Sequence, residues 1–316
     1  MHFLLTLCAI VIAVLLLGAL FTSFVAAKVG KAFAPTGQFV EVDGERLHVR
    51  TLGEGPPVVL VHGLGGQMRN FDYLPLAELA QRWRLVLVDR PGAGLSPRVS
   101  ESKAGIAAQA HLVLALIRAL GLPQRPLLVG HSLGGAIALS AALQEPDALA
   151  GLALIAPFTH FSSDVPAPFR ALGIRTPWLR HLFAHTLAVP LAILNSRRAV
   201  AFIFAPEPPP ADFPLRGGGL LGLRPSAFSA SSADMVAVAD DLPAQQQRYG
   251  ELRVPVRVLY GDGDRVLDWR VQGEGLKAKV PQAQLQVIPG AGHMLPVTQA
   301  AATAAWLDEA ARTTLR

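Results

Sequence analysis

Cysteine is nearly absent: the chain has one, Cys8, among 316 residues. No disulfide framework can be built from it, so the fold must be held together by its core. Charge is also scarce. Charged residues make up 16% against 51% apolar, a balance that excludes a disordered chain and calls for a large core, a membrane segment or both. The formal charge of +5 comes from Arg and Lys set singly or in pairs such as Arg197-Arg198. There is no basic stripe with interleaved aromatics, so a nucleic-acid partner is not expected.

From Phe3 to Ala27 charge is missing altogether. A helix of that run would be roughly 37 Å long, enough to cross a hydrocarbon core of about 30 Å with some tilt. Residues 1–30 therefore read as an N-terminal transmembrane anchor. The alternative is a cleaved signal peptide, because Val25-Ala26-Ala27 offers a small-residue cleavage pattern. Against it, the run exceeds a usual signal core and His2 stands where Lys or Arg is expected. Lys28 and Lys31 follow the run, which by the positive-inside rule puts the rest of the chain in the cytoplasm, but two charges leave the side open. Cys8 follows Leu7 rather than a small residue, a poor fit to lipoprotein modification, and reads as a small hydrophobe facing lipid.

Beyond the anchor, strand and helix patterns alternate. Phe39 to Arg50 alternate about Asp43-Gly44, a hairpin signature. Short apolar runs at Val58–Val61 and Leu85–Val88 read as buried strands, and those at Leu127–Val129, Leu152–Ile155, Val256–Tyr260 and Leu285–Ile288 read as further strands. Helices are expected over Tyr73–Arg82, Lys103–Leu120, the Ala-rich stretch to Gln144, Arg270–Lys279 and Thr298–Arg312. This order calls for an α/β fold, a mostly parallel sheet with helices on both faces, over residues 38–157 and 253–316. Residues 158–252 break the alternation with Pro, Ala and Phe. They are too long for a loop and read as an inserted, mainly helical cap, with Glu207-Pro208-Pro209-Pro210 as a linker. Within it, Leu187 to Leu194 is apolar, but Pro190 interrupts it and Arg197-Arg198 closes it, so no second span is expected.

Gly130-His131-Ser132-Leu133-Gly134 matches G-x-S-x-G between an apolar strand and a helix, where the motif presents its serine on a sharp turn. A serine hydroxyl needs a base within hydrogen-bond reach and a third group to orient that base. His293 follows the last strand in a glycine-bearing loop. Asp262 and Asp264 both follow the strand before it, and either could serve. His131 and His62 have the bland reading of ordering their loops. His160, His181 and His185 lack a metal-ligand spacing, and no metal site is expected.

Together the His62-Gly63-Leu64-Gly65-Gly66 turn, the Asp89-to-Ser96 segment, the elbow, the Gly261-Asp262-Gly263-Asp264 loop and the Gly290-to-Pro296 loop resemble the α/β-hydrolase family with an inserted cap. The resemblance covers Phe39 onward. It implies a Ser132, Asp264, His293 triad, Asp264 fitting its Gly-x-x-Asp spacing, with the oxyanion held by the backbone N–H groups of Leu64 and Leu133. No cofactor is implied. Ser at position 132 separates the chain from the epoxide hydrolases and haloalkane dehalogenases, which resemble this architecture but carry a carboxylate at the elbow.

The expected activity is hydrolysis of a carboxylester or thioester through an acyl-enzyme. The same triad would serve a carbon-carbon bond hydrolase, an acyltransferase or a haloperoxidase, and a non-catalytic membrane-tethered interaction protein is the rival of another class. Phe158, Phe161, Phe169, Trp178, Phe183, Phe202, Phe204 and Phe213 give the insertion the makings of an apolar pocket roof, or simply of its own core. With a membrane helix, that points to an apolar, lipid-like small-molecule ester. Oligomeric state leaves no mark in the sequence.

Overall fold

A computed structural model describes residues 1–315. Eight strands form one sheet in the order β1-β2-β4-β3-β5-β6-β7-β8. They are β1 (Gln38–Val42), β2 (Glu45–Leu52), β3 (Pro57–Val61), β4 (Arg84–Val88), β5 (Leu127–His131), β6 (Gly151–Ile155), β7 (Val256–Gly261) and β8 (Gln284–Ile288). Among the described residues the helices are α1 (His2–Ala32), α2 (Leu76–Leu79), α3 (Ile106–Ala119), α4 (Leu133–Gln144), α5 (Pro177–Thr186), α6 (Ala188–Phe204), α7 (Pro225–Gln245), α8 (Gly275–Lys279), α9 (Leu295–Thr298) and α10 (Ala300–Thr314).

β1 and β2 pair antiparallel across the turn at Asp43 and Gly44, both with positive φ, as a two-residue hairpin turn demands. From β4 to β8 the sheet is parallel. Its strands are apolar on both faces because both faces are covered. Val59, Val61, Val86, Leu128, Leu152, Leu154 and Val258 pack with α3 and α4 on one side. Val58, Leu60, Leu85, Leu127, Val129, Ala153 and Leu259 pack with Trp83 and α10 on the other. Alternate residues of one central strand thus enter two cores, while the edge strand β8 turns Gln284 and Gln286 to solvent.

Some elements differ from the sequence expectation. Only α2 forms within Tyr73–Arg82, because Pro75 opens it and the chain must turn at once into β4. The Arg270–Lys279 segment begins as a π-helical turn over Arg270–Glu274 before α8. Pro190 does not interrupt its segment: it lies in the first turn of α6, where its missing N–H has no partner to lose. The break falls at Leu187 instead, where α5 and α6 meet with a bend of 72°. Nor do Arg197-Arg198 end the helix, which runs past them to Phe204 with both side chains exposed.

The segment between β6 and β7 carries α5, α6 and α7. The 21-residue α7 has no counterpart in the short pieces expected, since its Ala-Ser sequence shows little apolar periodicity and Pro243 sits inside it. Two buried ion pairs sharing Asp234 tie the segment to the sheet. Arg90, just past β4, donates to Asp234 of α7 at 2.8 Å, to Gln109 at 2.6 Å and to the Gly63 carbonyl at 2.8 Å. Arg98 donates to the same Asp234 at 2.6 Å.

α1 also touches this segment. Thr22 Oγ1 donates to the Thr186 carbonyl at the end of α5 over 3.2 Å. A Cβ on Gly18 would meet that same carbonyl at 2.7 Å, so glycine is what permits the approach. Further along, Val29 and Phe33 bury against Leu221.

Candidate active site

Ser132 sits between β5 and α4 with φ 54° and ψ −118°, a conformation a β-carbon-bearing residue adopts only under constraint. The constraint is visible. The Ser132 N–H donates to the Ile155 carbonyl at 3.0 Å, while its carbonyl accepts from Gly135 at 2.8 Å and Phe158 at 2.9 Å. The flanking glycines are required by space: a Cβ on Gly130 would lie 2.3 Å from the Gly134 carbonyl, and one on Gly134 would lie 2.2 Å from the Val61 carbonyl. The turn thus holds a nearly buried Ser132 at the carboxyl end of the central strands.

His293 lies in the loop between β8 and α9 and is buried. Its Nδ1 is 2.7 Å from Oδ2 of Asp264, which follows β7 and whose side chain is fully buried. The other carboxylate oxygen of Asp264 accepts the N–H groups of Val266 at 2.8 Å and Leu267 at 2.9 Å. Three donors converge on this acid, the imidazole among them. Asp262 stands apart from the imidazole: it is exposed and accepts the Gly290 N–H at 2.6 Å, bracing the turn that leads to His293.

Leu64 and Leu133 border the same cavity as Ser132 and His293. Among the described residues neither backbone N–H is engaged by another group, leaving two donors beside the serine. The Leu64 loop is ordered from below. His62 donates from Nδ1 to the Gly63 carbonyl at 2.9 Å and accepts the Arg90 N–H on Nε2 at 3.0 Å, which defines a neutral ring. Burial, with the Arg90 charge beside it, holds the His62 pKa well below the usual histidine value. His131 is also structural: its Nε2 lies 3.1 Å from the His293 carbonyl. Burial, seconded by His293, lowers its pKa to about 3, so it stays neutral.

The cavity itself is about 1160 Å³, above the ~300–1,000 Å³ of ordinary ligand pockets. Of the aromatics expected to roof it, Phe158, Phe161, Phe169, Phe204 and Phe213 line it. Phe183 instead packs on Phe228 with ring centres 5.3 Å apart, Trp178 faces outward, and Phe202 is half-buried away from the cavity. His181 and His185 stack on each other along α5, while His160 bonds Thr159 beside Tyr249.

One contributor went unread in the sequence. Glu207, expected to lie in a linker, reaches across to the His293 loop. Its Oε2 accepts the Gly292 N–H at 2.9 Å and the Thr298 hydroxyl at 2.7 Å, and its Oε1 accepts from Gln299 at 2.6 Å. A signal was present: Glu207 is the sole acidic residue between Asp164 and Asp212, in a stretch with five arginines.

A family model for the alpha/beta hydrolase fold matches residues 56–300. An uncharacterized protein of Mycobacterium tuberculosis is 31% identical over 269 residues, covering 82% of this chain and 76% of its own. The pimeloyl-[acyl-carrier protein] methyl ester esterase of Chromobacterium violaceum is 31% identical over 257 residues, covering 78% and 91%. Among solved structures, one described as a membrane phospholipase A superposes with a TM-score of 0.66 at 25% identity. It covers 97% of this chain and 96% of its own, leaving fewer residues uncovered than α1 contains.

Proposed function

The chain belongs to the α/β-hydrolase family, and on that premise we propose that it is a membrane-anchored serine hydrolase cleaving an apolar, lipid-like carboxylester or thioester. The observation that carries the reading is the 2.7 Å pair of His293 and Asp264 opening, with a strained Ser132, into one large apolar cavity. In the proposed cycle Ser132 attacks the substrate carbonyl while His293 takes its proton. Asp264 engages Nδ1, so Nε2 is the nitrogen left to act as base, and the carboxylate stabilises the imidazolium that forms. The N–H groups of Leu64 and Leu133 receive the developing oxyanion, a contribution of roughly 3 to 4 kcal/mol per donor in comparable sites. His293 then protonates the leaving group, and water activated by the same base releases the acid.

Cavity size and lining support a long acyl chain over a small ester. The likeness to a methyl ester esterase and to a membrane phospholipase A supports ester chemistry and attachment by α1. With a mean hydropathy of 3.0 and its apolar window wholly exposed, α1 has the length and composition of a membrane span. The test is fluorophosphonate labelling of the full chain, wild type against Ser132→Ala and His293→Ala, followed by turnover of esters of increasing chain length. The expected result is labelling of wild type only and a preference for long chains. An unlabelled, folded wild type would leave the tethered-scaffold reading in its place.

A further inference from the structure

A span of about thirty ångströms beginning at Phe3 uses twenty residues and ends at Thr22. Thr22 is the residue that hydrogen-bonds the Thr186 carbonyl, and Gly18 touches that carbonyl one turn earlier. The end of α5 therefore sits at the depth where α1 leaves the hydrocarbon. What surrounds that point is apolar and open. Trp178, Leu179 and Leu182 on α5 and Leu191 and Leu194 on α6 are all exposed, Trp178 at 68% and Leu194 at 79%. Beyond α1, few large apolar side chains are exposed elsewhere on the surface, and those are scattered singly. The segment itself carries charge of one sign: between residues 165 and 206 there are five arginines and no acidic residue, and although Asp240 pairs with Arg175 and Glu101 with Arg180, Arg170, Arg197 and Arg198 are also exposed.

We propose that the outer face of α5 and α6 docks into the surface of an anionic lipid bilayer, fixed there by α1, and that the cavity takes its substrate from that bilayer. The inference rests on α1 being a membrane helix, and it deepens the proposed function by naming the route of entry. The apolar side chains sink to the acyl boundary while the arginines meet lipid phosphates, as in interfacial helices. Ile193 of α6 is both exposed and part of the cavity wall, as are Phe161 and Val271, so the cavity mouth has an apolar rim that includes the docked helix. An acyl chain entering there need not cross water.

The experiment uses the full chain reconstituted in phosphatidylcholine–phosphatidylglycerol vesicles whose acyl chains are brominated at shallow positions. None of the four tryptophans lies in α1, Trp83 and Trp306 are buried, and half-buried Trp269 is replaced by Phe in every protein compared, so quenching reports on Trp178. Bromine is expected to quench wild-type emission, and Trp178→Phe is expected to lose most of that quenching. Leu194→Glu, at an exposed position that tolerates the charge, is expected to lower turnover of a vesicle-embedded ester about tenfold while a short soluble ester is cleaved as before. Equal quenching in wild type and Trp178→Phe overturns the proposal, as does an equal loss on both substrates. If a second copy of this chain covers the face instead, Trp178 is shielded from bromine and Leu194→Glu converts a detergent-solubilised dimer to monomer, which also overturns it. Absent turnover on either substrate with quenching intact supports the docking and counts against the hydrolase reading alone.

Discussion

Glu207 Oε2 accepts the Gly292 N–H at 2.9 Å, so a carboxylate from the segment between β6 and β7 grips the backbone one residue before His293. The insertion therefore does more than roof the cavity: it helps set where the imidazole stands. Thr298 and Gln299 donate to the same carboxylate and tie in the junction between α9 and α10.

Removing that grip should be felt in turnover. Glu207→Ala leaves the Gly292 N–H without its acceptor and lets the His293 loop relax. A lowering of kcat by about tenfold or more is expected, with KM for a short ester nearly unchanged, because displacement of a catalytic group by a fraction of an ångström is costly. Glu207→Gln keeps an acceptor for Gly292 and should recover part of the loss. Steady-state kinetics beside thermal unfolding separates the roles: a lower Tm with unchanged kcat would make the contact merely structural.

The two aspartates after β7 should behave oppositely. Asp264→Asn removes the charge that holds the imidazole tautomer, and kcat is expected to fall by roughly ten-thousand-fold with the fold intact. Asp262→Asn touches only the Gly290 turn and should stay within about threefold of wild type. Parallel kcat measurements decide it, and comparable losses in both would argue against Asp264 as the orienting acid.

Much of this was legible in the sequence because the strands are short β-branched runs bounded by Gly and Pro, and because the elbow and the two loops after β7 and β8 carry local patterns. Residue type and position alone did not separate Asp264 from Asp262, since both stand at a strand end; only the Gly-x-x-Asp spacing of the family resemblance favoured Asp264. Glu207 and the Arg90–Asp234 pair were invisible for another reason. Their partners are 85 and 144 residues away, and no local periodicity records such a contact. α7 was missed because a helix rich in Ala and Ser, packed on several sides, has no single apolar stripe to betray it.

The buried histidines give the fold a pH dependence of definite sign. His131, held at about 3 by burial and then by His293, stays neutral in the native state where an unfolded chain, at about 6.5, takes up a proton. Below that unfolded value the denatured state binds more protons, so stability is complete above about pH 6.5 and falls as acid is added. Between about pH 6.5 and 5 one such group costs about 2 kcal/mol. His62, lowered by burial and Arg90, acts in the same direction. Half-buried His160, lowered to about 4 by desolvation and then by Lys279, adds a smaller effect because water still screens it. Urea midpoints of the full chain should therefore drop from neutral pH to about pH 5, and His131→Asn should remove about 2 kcal/mol of that drop without abolishing it. A variant with the wild-type slope would show that His131 is not a source of the acid sensitivity. Because a neutral His131, its ring centre 5.0 Å from that of His293, sets no second positive charge against the imidazolium, the acid limb of kcat/KM should survive the same substitution.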